Sequence, residues 1–326
     1  MYRNDWNVNR LGVVRLGRVA ATTGLIAYDY KKLIKNKQLY DDLDAWSRQH
    51  TDAATKLLHM CTKNGGVYIK VGQHIATLRY LVPNEYCDVL KVLHSKAPTS
   101  SLEDVRNIIK EDLKKPLEEL FDEFEEKPLG TASLAQVHRA KLKETGDQVA
   151  VKIQHKDVKN NSTIDIITMD FFFSLVDRTF PDFSMKWLAE EMRINLPLEL
   201  DFLNEGKNCE RVREMFKQFK WFKTPEIYWS HSTHRVLTMQ LMEGEEITNV
   251  DYIKREKIDP RLVTDRLATV FSEMIFVNGY VHCDPHPGNI LVKQTSHGPD
   301  IVLLDHGLYT VGISTGRFSF GRLFAD

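Results

Sequence analysis

The chain has 326 residues, of which 27% are charged and 42% are hydrophobic, and its formal net charge at pH 7 is −1. This composition is ordinary for a globular protein, and the near-neutral charge gives no reason to expect a nucleic-acid partner. The four cysteines are far apart in sequence, which argues against a disulfide framework and against a zinc site made of thiolates.

Residues 1–30 form a basic N-terminal segment. Up to position 18 its only acidic residue is Asp5, and its arginines are Arg3, Arg10, Arg15 and Arg18. An amphipathic organelle presequence has a similar charge pattern but is also rich in serine, so an exposed basic helix is the simpler prediction. The nearest approach to a membrane span, residues 19–28, is too short to cross a bilayer.

Residues 31–127 are predicted to form a helical region. Apolar residues recur at helical spacing in residues 51–60, 87–93 and 105–113, and prolines separate these segments. The same region contains the string Lys70-Val71-Gly72-Gln73. Taken alone, this string is a helix with a glycine inside it, at a cost of about 1 kcal/mol relative to alanine.

Residues 128–243 begin with a change from helical to alternating apolar spacing. Small residues at 130–133 precede two alternating runs joined by a Thr-Gly-Asp turn, a pattern that predicts a β-hairpin with a three-residue loop. Small residues also allow a backbone to approach a ligand closely. Lys152 lies among apolar residues of the second strand, and a buried ammonium requires a carboxylate or phosphate partner. The alternative is an edge-strand lysine that faces solvent.

Residues 157–195 again have helical spacing, and residues 171–176 are predicted to be a buried apolar segment. Three carboxylates then stand among leucines, and we expect at least one to face inward: Glu199, Asp201 and Glu205. Pro197 predicts a helix start at this point. On one helix Glu199 and Glu205 would be about 1.7 turns apart and would point to different faces. A capped, solvated start of an acidic helix is the alternative.

Two strands and a helix are predicted in the next part of the chain. Residues 224–229 indicate a turn into a strand, and residues 235–242 indicate an apolar strand that ends at Glu243, where a kinase hinge would hold adenine. A long amphipathic helix is predicted at residues 261–278, and Gly279 is its expected C-cap.

Residues 281–307 carry the pattern most typical of a phosphoryl-transfer site. Asp284 precedes Asn289 by five residues, and a predicted strand hairpin then ends at Asp305. In protein kinases the same order supplies a catalytic Asp, a metal-binding Asn and the Asp of an Asp-Phe-Gly turn. The alternative is that these residues only form turns and caps, as Asp and Asn often do in loops.

The order of these motifs resembles the aarF/UbiB family of atypical kinases over residues 11–309. Five separated strings carry the resemblance: VGQHIATLRYLVP, LGTASLAQVH, NLPLELDFLNEG, FVNGYVHCDPHPGN and LLDHGLY. It implies an α+β, protein-kinase-like fold. The expected parts are an N-terminal helical extension at residues 31–127, an N-lobe with a helical insert at 128–243 and a partial C-lobe at 244–326.

The resemblance also implies a role for each matching residue. Asp284 is the expected catalytic aspartate, and Asn289 and Asp305 are the expected Mg²⁺ ligands. Lys152, held by Glu205, is expected to orient the phosphates of ATP or ADP. The other matches are the nucleotide-binding positions Gly130, Thr131, Ala132, Ser133 and Glu243, and a gating ion-pair group of Lys70, Gln73, Glu199 and Asp201.

The chain departs from the family pattern in two places. Gly130 and Thr131 stand where alanines are usual, which puts the nucleotide preference of that loop in doubt. The residues after Tyr309 are too few for the helices of a kinase C-lobe, so the C-lobe is expected to be truncated and the apolar face of the 261–278 helix under-covered. Asp305-His306-Gly307 replaces Asp-Phe-Gly, and His306 is not required as a metal ligand.

The function implied by the resemblance is that of an atypical kinase or ATPase with a small or lipid-like acceptor. A mitochondrial location and contact with a lipid or membrane surface are implied in the same way. One alternative is a pseudokinase or scaffold that binds nucleotide without turnover. A more distant alternative is a metallohydrolase, in which the ligands would be His282, Asp284, His286, Asp305 and His306.

Overall fold

The computed structural model describes residues 3–94, 99–156, 158–179 and 186–311. The helices in chain order are α1 (Arg3–Lys35), α2 (Lys37–Tyr40), α3 (Leu43–Asn64), α4 (Val67–Thr77), α5 (Asn84–Leu90), α6 (Leu102–Leu113), α7 (Leu117–Leu120), α8 (Val158–Thr179), α9 (Lys186–Glu199), α10 (Phe202–Met215), α11 (Val250–Arg255) and α12 (Pro260–Ser272). Short 3-10 turns cover Lys91–His94, Trp229–His231 and Pro287–Asn289, and a π-helix covers Glu273–Asn278.

The strands in chain order are β1 (Phe121–Phe124), β2 (Gly130–Thr131), β3 (Ala135–Leu142), β4 (Gln148–Gln154), β5 (Phe222–Lys223), β6 (Val236–Gln240), β7 (Glu245–Glu246), β8 (Tyr280–His282), β9 (Ile290–Thr295), β10 (Gly298–Leu303) and β11 (Tyr309–Val311). This mixture of helices and separate sheets confirms the predicted α+β class.

The chain forms two compact units whose segments alternate along the sequence. The first unit comprises Met1–Ile108, Glu126–His138 and Lys152–Leu200, and the second comprises Ile109–Glu125, Arg139–Val151 and Asp201–Asp326. The domain boundaries predicted after residues 30, 127 and 243 were based on the order of the motifs along the sequence. They stay a prediction.

Helices dominate the described part of residues 31–127, as predicted. The α3 helix begins after Asp42, whose carboxylate accepts hydrogen bonds from the N–H groups of Asp44 and Ala45. It ends at Gly65, where φ is 69° and the N–H donates to the Cys61 carbonyl at 2.8 Å. A left-handed φ favours glycine, so the short connection to α4 depends on it.

The core of the first unit lies between α3, α4 and α5 and extends to α8 and α9. Large side chains with almost no exposure occupy it: Tyr68, Ile69, Leu90, Leu93, Leu188 and Leu196. No helix within residues 3–94, 99–156, 158–179 and 186–311 has both the length and the apolar character needed to cross a membrane.

The α1 helix packs on α3 and α8, and this packing buries one of its arginines. Arg15 Nε donates to Asp165 Oδ1 at 2.9 Å, and another N–H of the same guanidinium pairs with Asp165 Oδ2. Burial raises the pKa of Asp165, while Arg15 acts in the opposite direction. The prediction of an exposed basic helix is therefore wrong at Arg15, because the buried Asp165 requires a cationic partner.

The predicted hairpin is present as β3 and β4, in a sheet of order β1-β3-β4-β6 with β2 paired to β3. Its loop covers residues 143–147 and so has five residues, not the three that were predicted. The Gly146 N–H donates to the Leu142 carbonyl at 2.8 Å, and the Gly146 φ is 77°. This wider turn adds Lys143 and Glu144, which precede the Thr-Gly-Asp string.

Three predictions about residues 157–206 need correction. In the segment predicted to be buried, Phe171 is 61% exposed and Phe172 is buried. Pro197 lies inside α9 instead of starting a helix, at an exposed position where water can satisfy the carbonyl that its ring leaves without a donor. The next helix, α10, begins after Asp201, so Glu199 and Glu205 belong to different helices.

The second unit contains two small sheets, of order β5-β10-β9-β7 and β11-β8. The strand predicted at residues 224–229 is wrong in position. The strand is β5, which pairs in parallel with β10, and within 224–229 only Ile227 forms a bridge, to Met239. The strand predicted at residues 235–242 is confirmed as β6.

The helix predicted at residues 261–278 is confirmed, although its last six residues form the π-helix Glu273–Asn278. Gly279 is its left-handed C-cap, as predicted. One face is buried at Val263, Val270 and Met274. Near the end of the helix, Phe276 and Val277 are 61% and 69% exposed.

Candidate active site

The segment that carries Asp284 and Asn289 is a strand followed by a loop and a 3-10 turn. The His286 N–H donates to the Asp284 carbonyl at 2.7 Å, and the His286 Nδ1 accepts from the Gly288 N–H at 3.1 Å. The second bond caps the Pro287–Asn289 turn. These local bonds hold the five-residue spacing in one compact loop, with Asp284 exposed and Asn289 half-buried.

His282 joins this loop to the segment that carries Asp305. Its Nδ1 accepts a hydrogen bond from the Asp284 N–H at 3.0 Å, and its Nε2 lies 2.8 Å from the Asp305 carbonyl oxygen. Because an N–H can only donate and a carbonyl can only accept, the proton is assigned to Nε2 and the ring is neutral. His282 is 3% exposed, so this bridge is shielded from water.

The β9–β10 hairpin brings Asn289 and Asp305 to the same end of one sheet. Leu303 is opposite Ile290 in this antiparallel pair, and the Leu304 N–H donates to the Asn289 carbonyl at 2.9 Å. Asn289 directly precedes β9, and Asp305 follows β10 by two positions. The predicted hairpin is therefore confirmed, and hydrogen bonds connect the backbones of all three residues that match the kinase pattern.

The Asp-His-Gly turn is closed by its own side chains. The Gly307 N–H donates to Asp305 Oδ1 at 2.9 Å, which fixes the carboxylate at the start of the turn. His306 is buried; its Nε2 lies 3.1 Å from the Leu303 carbonyl, and its Nδ1 lies 2.9 Å from the Tyr309 hydroxyl. The ring therefore donates at Nε2 and accepts at Nδ1.

These bonds argue against the metallohydrolase alternative. Each ring nitrogen of His282 and His306 already has a hydrogen-bond partner, so neither ring offers a lone pair to a zinc-type ion. Among the described residues, no group of three or more His, Cys, Asp or Glu side chains could hold a metal ion. A Mg²⁺ site needs only one or two protein oxygens beside phosphates, and Asp305 and Asn289 supply that donor type.

Glu205 lies in the first turn of α10 and is only 2% exposed. The helix starts after Asp201, whose carboxylate accepts from the Leu203 N–H at 3.1 Å. The expectation that one of the three carboxylates faces inward is thus confirmed at Glu205. Its pairing with Lys152 stays a prediction.

Lys152 lies on β4 between Val151 and Ile153, which are fully buried, and is itself half-buried. Lys152 belongs to the first unit, whereas Glu205, Asp284, Asn289 and Asp305 belong to the second. The strand position is the one predicted. The role of Lys152 in holding phosphates stays a prediction.

The small-residue loop of the first unit is held by backbone and histidine contacts. Gly130 and Thr131 form β2 against β3, and the Ala132 N–H donates to the Ala135 carbonyl at 2.8 Å. The Ala132 carbonyl accepts from His155 Nε2 at 3.0 Å, and Ser133 is 5% exposed. The loop is therefore a turn held by hydrogen bonds at Ala132, and nucleotide binding at these positions stays a prediction.

The Lys-x-Gly-Gln string lies on α4, and each of its three residues has a defined contact in the first unit. Lys70 Nζ lies 3.0 Å from Glu199 Oε2, and both side chains are largely buried. Gln73 Nε2 donates to the Leu93 carbonyl at 3.0 Å. A Cβ added at Gly72 would overlap Leu93 Cδ1, so the buried Leu93 side chain would have to move. The ion pair implied by the resemblance is present, while its gating role stays a prediction.

Two other predicted residues have local partners. Asp201 accepts from His234 Nδ1 at 2.7 Å in addition to capping α10, and its membership of the gating group stays a prediction. Glu243 is exposed and pairs with Lys293 on β9. Its place in an adenine-binding hinge also stays a prediction.

Three residues that the sequence did not single out surround the Asp-His-Gly turn. Asn208 on α10 donates to the His306 carbonyl at 2.9 Å, and the Tyr280 hydroxyl donates to Asn208 at 2.7 Å. The Tyr309 ring stacks on the Tyr280 ring, with centroids 4.6 Å apart. The sequence carries no signal for Asn208, because its partners are 98 and 72 residues away.

Comparison with solved structures supports the fold. Over 82% of this chain and 67% of the other, the structure is similar to that of Rv3197 from Mycobacterium tuberculosis, solved with erythromycin, with a TM-score of 0.55 and 24% sequence identity. Because the identity is low, this similarity concerns the fold alone.

Comparison of sequences identifies the family. The chain is 49% identical to AarF domain-containing kinase 1 of Drosophila melanogaster over 99% of its own length, and 46% identical over 99% to AarF domain-containing protein kinase 1 of Mus musculus. It spans 63% and 62% of the length of these two relatives. The sequence model of the ABC1 atypical kinase-like domain matches residues 92–322. The chain therefore belongs to the ABC1/AarF family of atypical kinase-like proteins, and its fold is kinase-like.

Proposed function

We propose that the chain binds a Mg-nucleotide, ATP or ADP, and transfers a phosphoryl group as an atypical kinase or ATPase. The observation that carries this proposal is the set of hydrogen bonds joining the backbones of Asp284, Asn289 and Asp305 through His282 and Leu304. Phosphoryl transfer depends mainly on positioning and on neutralising phosphate charge, and a pre-assembled set of acidic and amide oxygens suits both tasks.

Each residue of this set has a role that its chemistry supports. Asp305 and Asn289 would hold Mg²⁺, because carboxylate and amide oxygens are the ligands that this ion prefers. The bound ion would neutralise the charge of the β- and γ-phosphates. Asp284 is exposed on its loop and would orient the attacking hydroxyl or water and accept its proton.

Residues outside this set would bind the rest of the nucleotide. Lys152 would orient the α- and β-phosphates, and Glu205 would hold the lysine by charge. The loop formed by Gly130, Thr131, Ala132 and Ser133 would lie along the phosphates. The chain near Glu243 would contact the adenine ring. These roles rest on the family resemblance together with the strand position of Lys152 and the burial of Glu205.

The acceptor that we propose is small or lipid-like. The support is the Lys70–Glu199 ion pair, which would restrict entry to the site if the helical extension covers it as the resemblance implies. A mitochondrial location and contact with a lipid or membrane surface are proposed on the resemblance alone. The alternative function, a pseudokinase that binds nucleotide without turnover, uses the same binding residues.

A calorimetric titration of the full chain with ADP and ATP, with and without Mg²⁺, tests the binding step. We expect the wild type to bind nucleotide only in the presence of Mg²⁺. In Asp305→Asn most of the affinity should be lost, and the remaining binding should no longer depend on Mg²⁺. Asp300→Asn is the matched control, because Asp300 lies on the same hairpin but within β10. Wild-type chain that binds neither nucleotide, or Asp305→Asn that binds like wild type, would overturn the proposal.

A further inference from the structure

Asn208 occupies a position between the helix that carries Glu205 and the turn that carries Asp305. It lies on α10, three residues after Glu205, and is 9% exposed. Its amide nitrogen donates to the His306 carbonyl at 2.9 Å, and its amide oxygen accepts from the Tyr280 hydroxyl at 2.7 Å. One side chain thus contacts the Asp-His-Gly turn and the strand that leads into the catalytic loop.

The two bonds of Asn208 demand an amide. The reversed orientation would place the amide oxygen against the carbonyl oxygen of His306, so the contacts define which atom is nitrogen. An aspartate would place a negative carboxylate against the same carbonyl. A leucine would leave the buried Tyr280 hydroxyl and the His306 carbonyl without these partners. The asparagine amide supplies the donor that the His306 carbonyl requires and the acceptor that the Tyr280 hydroxyl requires.

Aromatic rings close the network on its other side. The Tyr280 and Tyr309 rings are stacked with centroids 4.6 Å apart and an interplanar angle of 6°, and the Tyr309 hydroxyl lies 2.9 Å from His306 Nδ1. Arg211, also on α10, places its guanidinium 3.8 Å from the centroid of the Tyr280 ring. Burial raises the pKa of both phenols, so at neutral pH each hydroxyl keeps its proton and can donate.

The contacts form a closed ring of four residues: Asn208, Tyr280, Tyr309 and His306. His306 is held at its carbonyl by α10 and at its imidazole by Tyr309. The preceding residue, Asp305, is held at its carbonyl by His282. The Asp305 carboxylate accepts from the Gly307 N–H, and it therefore belongs to a turn in which the Asp305 carbonyl is held by His282 and the His306 carbonyl by Asn208.

We propose that Asn208 is a positioning residue that couples α10 to the Asp-His-Gly turn and so keeps the Asp305 carboxylate in the orientation that binds Mg²⁺. This inference rests on the proposed function, because it assigns the metal–nucleotide site as the place where the coupling acts. In this proposal Asn208 contacts the turn and not the metal or the nucleotide. It acts through the His306 carbonyl, as groups behind metal ligands do.

The test measures the Mg²⁺ concentration required for half-maximal ADP binding by the full chain. We expect Asn208→Asp and Asn208→Leu to raise this concentration about 10–100-fold, the usual cost of losing a residue that supports a metal ligand. The milder Tyr280→Phe removes only the bond between Tyr280 and Asn208 and keeps the bond from Asn208 to the His306 carbonyl. It should raise the required Mg²⁺ concentration less. The matched control is Asn249→Asp, an exposed asparagine of the same unit that caps α11.

A second readout does not depend on nucleotide. Hydrogen exchange of peptides that contain residues 303–309 should accelerate in Asn208→Asp and Asn208→Leu, while exchange in β6 remains as in wild type. If the wild type binds ADP with Mg²⁺ but neither the Mg²⁺ requirement nor the exchange changes in the variants, the positioning claim is overturned. If the wild type binds no nucleotide, the proposed function fails, and the exchange of residues 303–309 alone decides whether Asn208 holds the turn.

Discussion

His282 Nε2 donates a 2.8 Å hydrogen bond to the backbone carbonyl of Asp305, while the other ring nitrogen accepts from the Asp284 N–H. One neutral imidazole therefore sets the distance between the expected catalytic aspartate and the expected metal ligand. The residue acts through main-chain groups, and its side chain is 3% exposed. A histidine two residues before Asp284 thus holds both main-chain segments together with its two ring nitrogens.

Replacing His282 by alanine should weaken both the fold and the site. The change removes the buried ring and its hydrogen bonds to the Asp284 N–H and the Asp305 carbonyl, at a cost of about 1–3 kcal/mol in the free energy of unfolding. We also expect weaker binding of Mg-ADP, because Asp284 and Asp305 lose their common support. Urea denaturation and calorimetry check the two effects. His297→Ala, at an exposed turn residue, is the control, and an effect of the same size there would contradict this account.

The Lys70–Glu199 pair should be strongly coupled. Its side chains are 11% and 13% exposed, so removing one charge leaves the other buried without this partner, at a cost of about 3–5 kcal/mol. A double-mutant cycle with Lys70→Met and Glu199→Gln should therefore show a coupling free energy of about 1–3 kcal/mol.

The control cycle for this pair uses Arg79 and Asp88, which are 2.8 Å apart in the same unit but more than half exposed. An exposed pair should give about 0.2–1 kcal/mol. Equal coupling in the two cycles would show that burial of Lys70 and Glu199 has no energetic consequence.

Gly72→Ala should destabilise the first unit by about 1–3 kcal/mol, because the new methyl group overlaps Leu93 and the core must shift. In a Leu93→Ala background the same substitution should cost much less. Gly17→Ala on α1 is the matched control: its methyl group meets no atom within 4 Å, and it should be neutral or stabilising by up to about 1 kcal/mol. Thermal denaturation compares the wild type with Gly72→Ala, Leu93→Ala, the double variant and Gly17→Ala, and a tolerated Gly72→Ala would be evidence against the tight packing.

His155 should make stability depend on pH. Burial lowers the pKa of His155, against the opposing effect of its bond to Ala132, so the folded protein keeps the ring neutral. Below the unfolded pKa of about 6.5 the unfolded chain binds a proton that the folded chain does not, so stability is complete above that pH and falls as pH decreases. The slope contributed by one proton is at most about 1.4 kcal/mol per pH unit.

To isolate this effect, the free energy of unfolding is measured between pH 7 and pH 5 for the wild type and for His155→Gln, and the two slopes against pH are compared. We expect the variant to have the shallower slope, because His155 no longer excludes a proton. Other histidines contribute equally to both chains and cancel in the difference. Parallel slopes would mean that the His155 contact with the Ala132 loop does not depend on a neutral ring.

Local patterns predicted the elements whose signals agree with one another. The 261–278 helix has its apolar spacing and its terminal Gly279, and the 290–303 hairpin has its alternating residues and a central turn. The helix start predicted at Pro197 was wrong because a proline can lie inside a helix where the carbonyl four residues before it can bind water instead. The stronger start signal was the Asp201 cap. The five-residue loop around Gly146 could not be distinguished from a three-residue loop by its turn residues.

The candidate site was predictable in its motifs but not in its support. Asp284, Asn289 and Asp305 follow a known spacing, whereas Asn208 and Tyr309 act through contacts that only the fold creates. His306 shows the difference clearly. From the sequence it was a candidate metal ligand in the metallohydrolase alternative. In the structure both of its ring nitrogens form hydrogen bonds.

The most direct test of the central claim is turnover of Mg-ATP by the full chain, measured as ADP release beside equilibrium binding of Mg-ATP. We predict that the wild type binds and turns over Mg-ATP, and that Asp284→Asn binds with similar affinity but loses turnover by at least about 10²-fold, as expected for removal of a general base. Binding without turnover in the wild type, or turnover that persists unchanged in Asp284→Asn, would contradict the account.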